Sequence, residues 1–423
     1  MMGQEGQALN GKRSSRNMMK PILMVLLFIS AGLAGCFADE EETTTKVEAI
    51  FEYDPKKDIR TGTTITFDAS SSLPSDGSLT YKWDFDGDGD YDETGREADW
   101  EYPNAGTFEV ELTVSDGTSS NSQTRKVKVA EADTPEPEAD AGSDSPSDDC
   151  EGESASSGSF YLVYICEMDK SLSSKNILAT TSVYLDGSGS EPCKGSTQDC
   201  DEYISEWYWD LDLQKDEDGD GDSKNDPDLE GESVEWKDVA PGKYLIALTV
   251  VSGQGLTSTD ETTVYVNYAG RWTDISIGGN TSGSAIEIDF TFDVVYNEES
   301  GNRIKRVTSD LVYPQEDDDC VDTIPGEESN CRAKIDLFSY NSTDDASQDT
   351  SAIAVNQRQY GDCEEENDCV TLSLMGSCHF NDNPSANEDD ICYRKDGQWT
   401  IAIHNEMVND LQVESLTIFL IYK

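Results

Sequence analysis

The sequence predicts an all-β protein with several domains, and three observations point to this class. Short runs of β-branched and aromatic residues alternate with Gly, Asp, Asn and Ser turns from residue 47 to residue 130. No amphipathic helical period competes with this alternation in the same stretch. The chain has 423 residues, which is enough for two to four domains that each bury a core.

The chain is strongly acidic along its whole length. It carries 87 Asp and Glu residues against 30 Lys and Arg residues, an excess of 57 negative charges. Such a surface repels phosphate groups and attracts cations. Nucleic acid is therefore excluded as a partner, and metal binding, tolerance of salt and solubility are the properties that the acidity indicates.

The cysteines indicate an oxidising compartment. Apart from Cys36, they are Cys150, Cys166, Cys193, Cys200, Cys320, Cys331, Cys363, Cys369, Cys378 and Cys392. An even number outside the cytosol predicts disulfide bonds, and we expect each cysteine to pair with its neighbour in this order. The sequence alone does not fix that connectivity. Zinc binding is the alternative, but the chain has no CxxC pair and only two histidines, His379 and His404.

The N-terminus has the form of an export signal. Basic residues in the first 20 positions precede the apolar run PILMVLLFISAGLA, which is 14 residues long and too short to span a bilayer as a helix. The run ends in LAGC, which resembles the lipobox of prokaryotic lipoproteins. The resemblance implies that residues 1–35 are removed and that Cys36 takes a lipid. Alternatively, the segment is an ordinary signal peptide with a chance cysteine.

Further predictions follow from the lipobox. Residues 36–46 become an acidic tether at the extracellular face of the cell membrane. The lipobox and the acidity together point to an archaeal or marine prokaryotic source.

Residues 47–130 contain three segments that resemble parts of the PKD domain, an immunoglobulin-like β-sandwich of surface proteins. The segments are TITFDASSS, LTYKWDFDGDGDYDE and YPNAGTFEVELTVSDG. A second copy is predicted at residues 151–267, where Trp209 corresponds to Trp83 and YLIALTV to FEVELTV. We expect both tryptophans to anchor a core. Residues 131–150 are acidic and rich in proline, and they predict an extended linker.

Residues 268–423 form a different unit. Alternating strands such as AIEIDFTFDVVY precede the ending GQWTIAIHNEMVNDLQVESLTIFLIYK. The ending resembles the last two strands of jelly-roll domains attached to secreted peptidases, so we expect a jelly-roll-like β-sandwich stapled by disulfide bonds. Asn280 and Asn341 fit the acceptor sequence for N-glycosylation.

Two aspartate ladders are candidate calcium sites. They are Asp84, Asp86, Asp88 and Asp90 in the first repeat, and Asp216, Asp218, Asp220 and Asp222 with Asp226 in the second. Calcium prefers six to eight hard oxygen ligands, and the DxDxDG pattern opens EF-hand loops. The twelfth positions hold Gly95 and Pro227 in place of Glu, which excludes an EF-hand. Alternatively, both ladders are solvated turns of an acidic protein.

The expected function is binding rather than catalysis. The chain lacks a GxSxG elbow, an HExxH motif and a phosphate-binding glycine loop. PKD resemblance implies protein–protein or protein–carbohydrate contact, and the tryptophans that the repeats do not need as anchors are candidates for sugar contact: Trp100, Trp207, Trp236 and Trp272. We therefore expect a membrane-anchored extracellular adhesion lipoprotein. An accessory subunit of a secreted hydrolase and a structural envelope spacer are the alternatives.

Overall fold

The structure is a computed structural model that describes most of the chain from residue 46 onward. The described residues are 46–75, 77–146, 148–153, 155–195, 200–217, 221, 223–224, 226–279, 286–297, 299–315, 333–342, 344–351, 363–364, 366–376, 397–405 and 407–423. Cys36 and the predicted export signal lie outside them. No helix in these ranges is both long enough and apolar enough to cross a membrane.

The first domain is a sandwich of two antiparallel sheets. Its strands are β1 (Glu52–Asp54), β2 (Thr64–Asp68), β3 (Thr80–Asp84), β4 (Glu93–Thr94), β5 (Glu97–Glu101), β6 (Gly106–Ser115) and β7 (Ser120–Val129). One sheet has the order β1-β2-β5 and the other the order β4-β3-β6-β7. Every second residue of the apolar run in β6 is buried, as its alternating pattern predicts. Trp83 is fully buried between Phe51 and Phe67, which confirms its role as a core anchor.

The second domain repeats this arrangement with additions. Its elements are β8 (Tyr161–Lys170), a 3-10 helix (Leu172–Ser174), β9 (Asn176–Ile177), β10 (Thr181–Asp186), β11 (Ile204–Asp210), β12 (Leu229–Glu230), β13 (Ser233–Val239), β14 (Gly242–Ser252) and β15 (Thr257–Ile277). Trp209 lies at the end of β11 and is fully buried, like Trp83. Its indole N–H donates to the Gly231 carbonyl at 3.0 Å, whereas that of Trp83 donates to the Gly95 carbonyl at 2.9 Å. The two repeats therefore share one core plan.

The second sandwich begins earlier than the sequence indicated. The backbone amide of Ala139 donates to Ser258 Oγ at 3.2 Å, and that of Ala141 donates to Asp260 Oδ2 at 2.9 Å. Ala141 is fully buried in the core of the second domain. Much of the predicted linker 131–150 is thus packed against β15, because its small alanines fit the core.

The third domain is also a sandwich. Its own strands are β16 (Ile286–Val294), β17 (Arg306–Pro314), β18 (Ile335–Asn341), β19 (Asp344–Thr350), β20 (Asn367–Met375), β21 (Gly397–Asn405) and β22 (Leu411–Ile421). A five-stranded sheet with the order β19-β18-β21-β16-β9 faces a larger sheet that contains β22, β17 and β20. Buried aromatic residues from both sheets, such as Trp272 and Trp399, fill the space between them. All three domains are therefore β-sandwiches, as predicted.

Strand β15 belongs to two domains at once. Its first half pairs with β14 from Thr257 to Val266, and its second half pairs with β22 from Tyr268 to Ile277. Strand β8 runs parallel to β15 across this junction. The predicted boundary between residues 267 and 268 therefore falls inside a continuous strand, and the second and third domains share one sheet.

A buried side chain fixes the junction. Asn267 is fully buried, and its Oδ1 accepts a hydrogen bond from the backbone amide of Tyr422 at 2.8 Å. Short strand β9 extends the link, because it leaves the second domain and pairs with β16 of the third. The two domains are thus connected by backbone pairing and by a buried amide.

Disulfide bonds join three of the predicted cysteine pairs. Cys150 is bonded to Cys166, Cys193 to Cys200, and Cys363 to Cys369. The first bond ties the segment before β8 to β8 itself. Cys320, Cys331, Cys378 and Cys392 lie outside the described residues.

The first domain contacts the second through polar groups. Thr257 donates its backbone amide to Asp58 Oδ1 at 2.6 Å and its hydroxyl to Asp58 Oδ2 at 2.9 Å. Lys128 forms a salt bridge with Glu206 at 3.3 Å. This contact involves no shared strand, so the first domain is the more independent unit.

The shared strand predicts how fragments behave. We expect residues 131–423 to unfold in one calorimetric transition, because cutting β15 exposes the cores on both sides. Residues 37–267 should show the transition of the first domain and no cooperative transition of the second. Two transitions at the temperatures of the full chain in the 37–267 fragment would contradict the shared-sheet architecture.

Candidate functional site

The first aspartate ladder is a loop organised by one buried carboxylate. Asp84 ends β3 and is 6% exposed. Its Oδ1 accepts the backbone amide of Gly87 at 2.7 Å, and its Oδ2 accepts that of Gly89 at 2.8 Å. Both glycines have positive φ, at 74° and 91°, which lets the backbone wrap around the carboxylate. Asp84 therefore satisfies its charge with loop amides.

The other ladder residues are exposed. Asp86 Oδ1 accepts the amide of Asp88 at 3.3 Å, and Asp88 Oδ1 accepts that of Asp90 at 2.8 Å. Carboxylate oxygens of Asp84, Asp86 and Asp88 lie within 4.8 Å of one another, and no other described acidic group of three does so. Asp90 stands outside this group. The hydrogen bonds within the loop hold these residues in a folded turn, and calcium binding by them stays a prediction.

The second ladder is described only in part. Asp216 Oδ2 accepts the backbone amide of Gly221 at 3.0 Å. Asp226 is 8% exposed, and its Oδ2 accepts the amide of Glu217 at 2.6 Å. Asp218, Asp220 and Asp222 lie outside the described residues.

Sequence reasoning missed the buried carboxylate of the second repeat. Asp210 follows Trp209 as Asp84 follows Trp83, and it is 3% exposed. Its Oδ1 accepts the amide of Asp212 at 2.9 Å, whereas Oδ2 is buried without a hydrogen bond to any described group. The alignment of the repeats places Asp210 at the position of Asp84, but the prediction for the second repeat used only the ladder that begins at Asp216.

The surroundings of Asp210 disfavour its negative charge. Burial raises the pKa of Asp210 to about 6 and is the largest cause. The carboxylates of Asp228 and Asp226 raise this pKa further, while the backbone amides of Asp212 and Asp226 lower it. Of the two amides, only that of Asp212 has the geometry of a hydrogen bond.

A cleft lies where the second domain meets the third. Its volume is about 570 Å³. The apolar part of its wall comes from residues of the second domain and from Val295, which follows β16. The residues of the second domain are Leu211, Leu213, Trp236, Tyr244 and Leu245. The rings of Trp236 and Tyr244 meet edge to face, with centroids 5.1 Å apart and an interplanar angle of 77°. Leu245 and Val295 are 41% and 39% exposed, so apolar surface faces solvent here.

Polar groups complete the wall of the cleft. Asn297 and Asn302 approach from the third domain, and Gln214 comes from the loop after β11. The backbone amide of Lys243 donates to Asn302 Oδ1 at 2.9 Å, which fixes that side chain. Both domains therefore supply hydrogen-bonding side chains to one concave surface beside an aromatic pair.

Of the four candidate tryptophans, Trp236 alone lines this cleft. Trp100 stacks on Phe85 in the first domain, with centroids 4.7 Å apart. Trp207 is half-buried against the core of the second domain. Trp272 is fully buried in the core of the third domain, so this candidate is not available for sugar contact. Its position on β15, where two sheets converge on it, explains the burial.

Two other predicted residues prove to be structural. Asn341 is 3% exposed in β18, so a glycan on it is incompatible with the folded state. Asn280 lies outside the described residues, as does His379. His404 is buried in β21, and its Nε2 lies 3.0 Å from the Tyr340 hydroxyl oxygen.

Comparison with known protein families supports the PKD resemblance of the first domain. The family model described as the PKD domain matches residues 47–130. These residues are a PKD domain. The Trp83–Asp84 pair and the glycine loop that follows it lie within this PKD domain. No curated protein matches the chain.

Solved structures share only coarse features with the chain. Carbohydrate-binding modules of the β-sandwich superfamily are 14% identical, cover 89% of this chain and 96% of theirs, and give a TM-score of 0.19. Fibronectin(III)-like modules of Clostridium thermocellum CbhA are 11% identical over 52% of this chain and 95% of theirs, with a TM-score of 0.24. SGBP-B of Bacteroides ovatus, solved with a mixed-linkage heptasaccharide, is 11% identical over 91% and 98%, with a TM-score of 0.16. Scores this low carry no argument about function.

Removal of the Asp84 carboxylate tests its structural role. We expect Asp84→Ala to destabilise the PKD domain by about 2–4 kcal/mol, because two loop amides lose the charged acceptor that holds the turn. Asp88→Ala, in the same loop but exposed, should change stability by less than ~0.5 kcal/mol. Urea unfolding of residues 47–130 measures both. Equal effects of the two substitutions would contradict the assignment.

Proposed function

We propose that this protein is a lipid-anchored extracellular lipoprotein that binds a polysaccharide in the cleft between its second and third domains. The observation that supports this most strongly is the composition of the cleft. An aromatic pair, exposed aliphatic groups and side-chain amides share one concave surface of about 570 Å³ with five charged residues: Asp212, Lys224, Lys243, Glu261 and Glu299. Binding sites combine apolar lining with a few placed polar groups in this way.

The chemistry of sugars suits this wall. A pyranose ring presents C–H groups on its faces and hydroxyl groups at its edges. Trp236 and Tyr244 offer apolar ring surface, while Gln214 and Asn297 offer amides that both donate and accept hydrogen bonds. The proposal assigns no catalytic step to the cleft.

The anchor and the domain order give the protein its setting. Cys36 attaches the chain to the membrane, and residues 36–46 separate the PKD domain from the lipid surface. The PKD domain then serves as a spacer, because its described contacts with the second domain are a few polar pairs rather than a shared core. The cleft is thereby presented to polymers outside the cell.

Substitution of Trp236 tests the binding site. We expect Trp236→Ala to weaken retention on the polysaccharide that the intact protein binds by about 30-fold, as for a central aromatic contact. Tyr184→Ala is the matched control, because Tyr184 is 68% exposed on β10 of the same domain and does not line the cleft. Affinity electrophoresis in gels that contain envelope polysaccharides measures both variants.

The outcomes separate the alternatives. Loss of retention in Trp236→Ala and not in Tyr184→Ala supports the cleft. Unchanged retention in Trp236→Ala places the site elsewhere, and retention of an envelope protein in place of any polysaccharide overturns the ligand class.

Substitution of Cys36 tests the anchor. We expect Cys36→Ser to move the protein from the membrane fraction to the soluble fraction of the cell extract, because the remaining chain offers an acidic surface that an anionic bilayer repels. Immunoblots of both fractions measure the distribution. A variant that stays in the membrane fraction after a salt wash would contradict lipid anchoring through this cysteine.

A further inference from the structure

The two repeats place the same carboxylate in different electrostatic situations. In the PKD domain, both oxygens of Asp84 receive backbone amides. In the second sandwich, Asp210 occupies the equivalent position after the core tryptophan, and only Oδ1 receives one. Oδ2 is enclosed, with no hydrogen bond to any described group. The insertion in the second repeat thus replaces the glycine turn that satisfies Asp84.

The neighbours of Asp210 place further negative charge around its buried carboxylate. Asp228 Oδ2 accepts the amide of Leu211 at 2.8 Å, and Asp226 Oδ2 accepts that of Glu217 at 2.6 Å. Asp226 is buried like Asp210, and both it and Asp228 act on Asp210 as like charges. No described lysine or arginine forms a salt bridge with Asp210. A buried carboxylate with one oxygen left without a hydrogen bond, among other carboxylates, costs free energy unless a cation neutralises it.

The donor set indicates the class of cation. Asp226 and Asp228, the two carboxylates that act on Asp210, offer oxygen, and hard oxygen ligands in an acidic loop suit Ca²⁺. Transition metals that prefer nitrogen or sulfur have no such ligand among these residues.

The loop that follows Asp210 also forms part of the wall of the cleft. Residues from Leu211 to Gln214 follow Asp210 directly and line the cleft described above. The carboxylates of Asp210, Asp226 and Asp228 do not all lie within 4.8 Å of one another in this structure, so binding of one ion by all three would require the loop to move. Such a movement would shift residues 211–214, which line the cleft.

We propose that Asp210, together with Asp226 and Asp228, binds a calcium ion that fixes the wall of the cleft formed by residues 211–214. The ion site stands on the buried carboxylate alone. Its effect on ligand binding rests on the proposed function.

The test uses residues 37–423, which lack the lipidated cysteine, in three forms: wild type, Asp210→Asn and Asp84→Asn. Each form is first stripped of metal ions with a chelator. The melting temperature of its second and third domains is then measured without calcium, with calcium and with magnesium. Titration calorimetry with calcium chloride gives the affinity. Asp84→Asn is the matched control, because it makes the same substitution at the equivalent position of the other repeat.

The melting temperature of Asp210→Asn relative to the wild type should depend on whether calcium is present. Without calcium, this variant should melt at the same temperature as the wild type or higher, because an unpaired buried charge is removed. With calcium at about 100 times its Kd, the wild type and Asp84→Asn should gain roughly 5 °C, and Asp210→Asn should gain nothing. A purely structural Asp210 would instead lower the melting temperature in the absence of calcium.

The outcomes that overturn the ion site are equally defined. A calcium response that persists in Asp210→Asn overturns it, and so does a wild type that shows neither heat of binding nor a thermal shift at millimolar calcium. A response that disappears only in Asp84→Asn places the ion in the PKD domain and also overturns it.

Retention on polysaccharide tests the coupling separately. We expect a chelator to weaken retention of the wild type at least about 10-fold and to leave Asp210→Asn unchanged. Equal retention with and without calcium overturns the coupling. If no polysaccharide is retained under any condition, the proposed function fails, while calorimetry still decides on the ion site.

Discussion

The architecture depends on one strand that two domains share. Strand β15 pairs with β14 on one side of Asn267 and with β22 on the other. One sheet of the second sandwich therefore continues into one sheet of the third. A flexible linker would leave their mutual orientation free, and a cleft between them would then have no fixed shape. Backbone pairing removes that freedom. It is the reason that side chains from β14 and from the segment after β16 face each other across a surface of defined form.

The two repeats show how a common core plan acquires different loops. Trp83 and Trp209 each anchor a sandwich, and each is followed by an aspartate that is nearly inaccessible to solvent. In the PKD domain, glycines return their amides to that aspartate and the loop is complete. In the second sandwich, the insertion after Asp210 supplies fewer amides and more carboxylates. The structural turn of the first repeat and the candidate ion site of the second thus differ in which groups contact one buried carboxylate oxygen.

Much of the fold was predictable from local pattern. The alternation in FEVELTV and YLIALTV identified the core-facing residues of β6 and β14, and the spacing of cysteines identified the bonds from Cys150 to Cys166 and from Cys193 to Cys200. The shared strand was not predictable, because the run from Thr257 to Ile277 alternates in the same way whether one partner or two lie beside it. The cleft brings together residues that lie far apart in sequence. Tyr244 therefore had the same sequence pattern as Phe108, which packs partly buried against the core of the first repeat. Trp272 carried no mark that distinguished burial from display.

The central claim is that a polysaccharide binds where the fused domains meet, against Trp236. The most direct measurement is the NMR spectrum of the indole N–H groups of residues 37–423, labelled with nitrogen-15. It is recorded during titration with an oligosaccharide from the envelope polymer that the protein retains. Assignment of the signals by single substitution identifies each tryptophan. The account predicts that the Trp236 signal shifts with saturation, while those of the buried Trp83, Trp209 and Trp272 stay in place. Shifts confined to Trp100, or a Trp236 signal that remains unchanged at saturation, would contradict it.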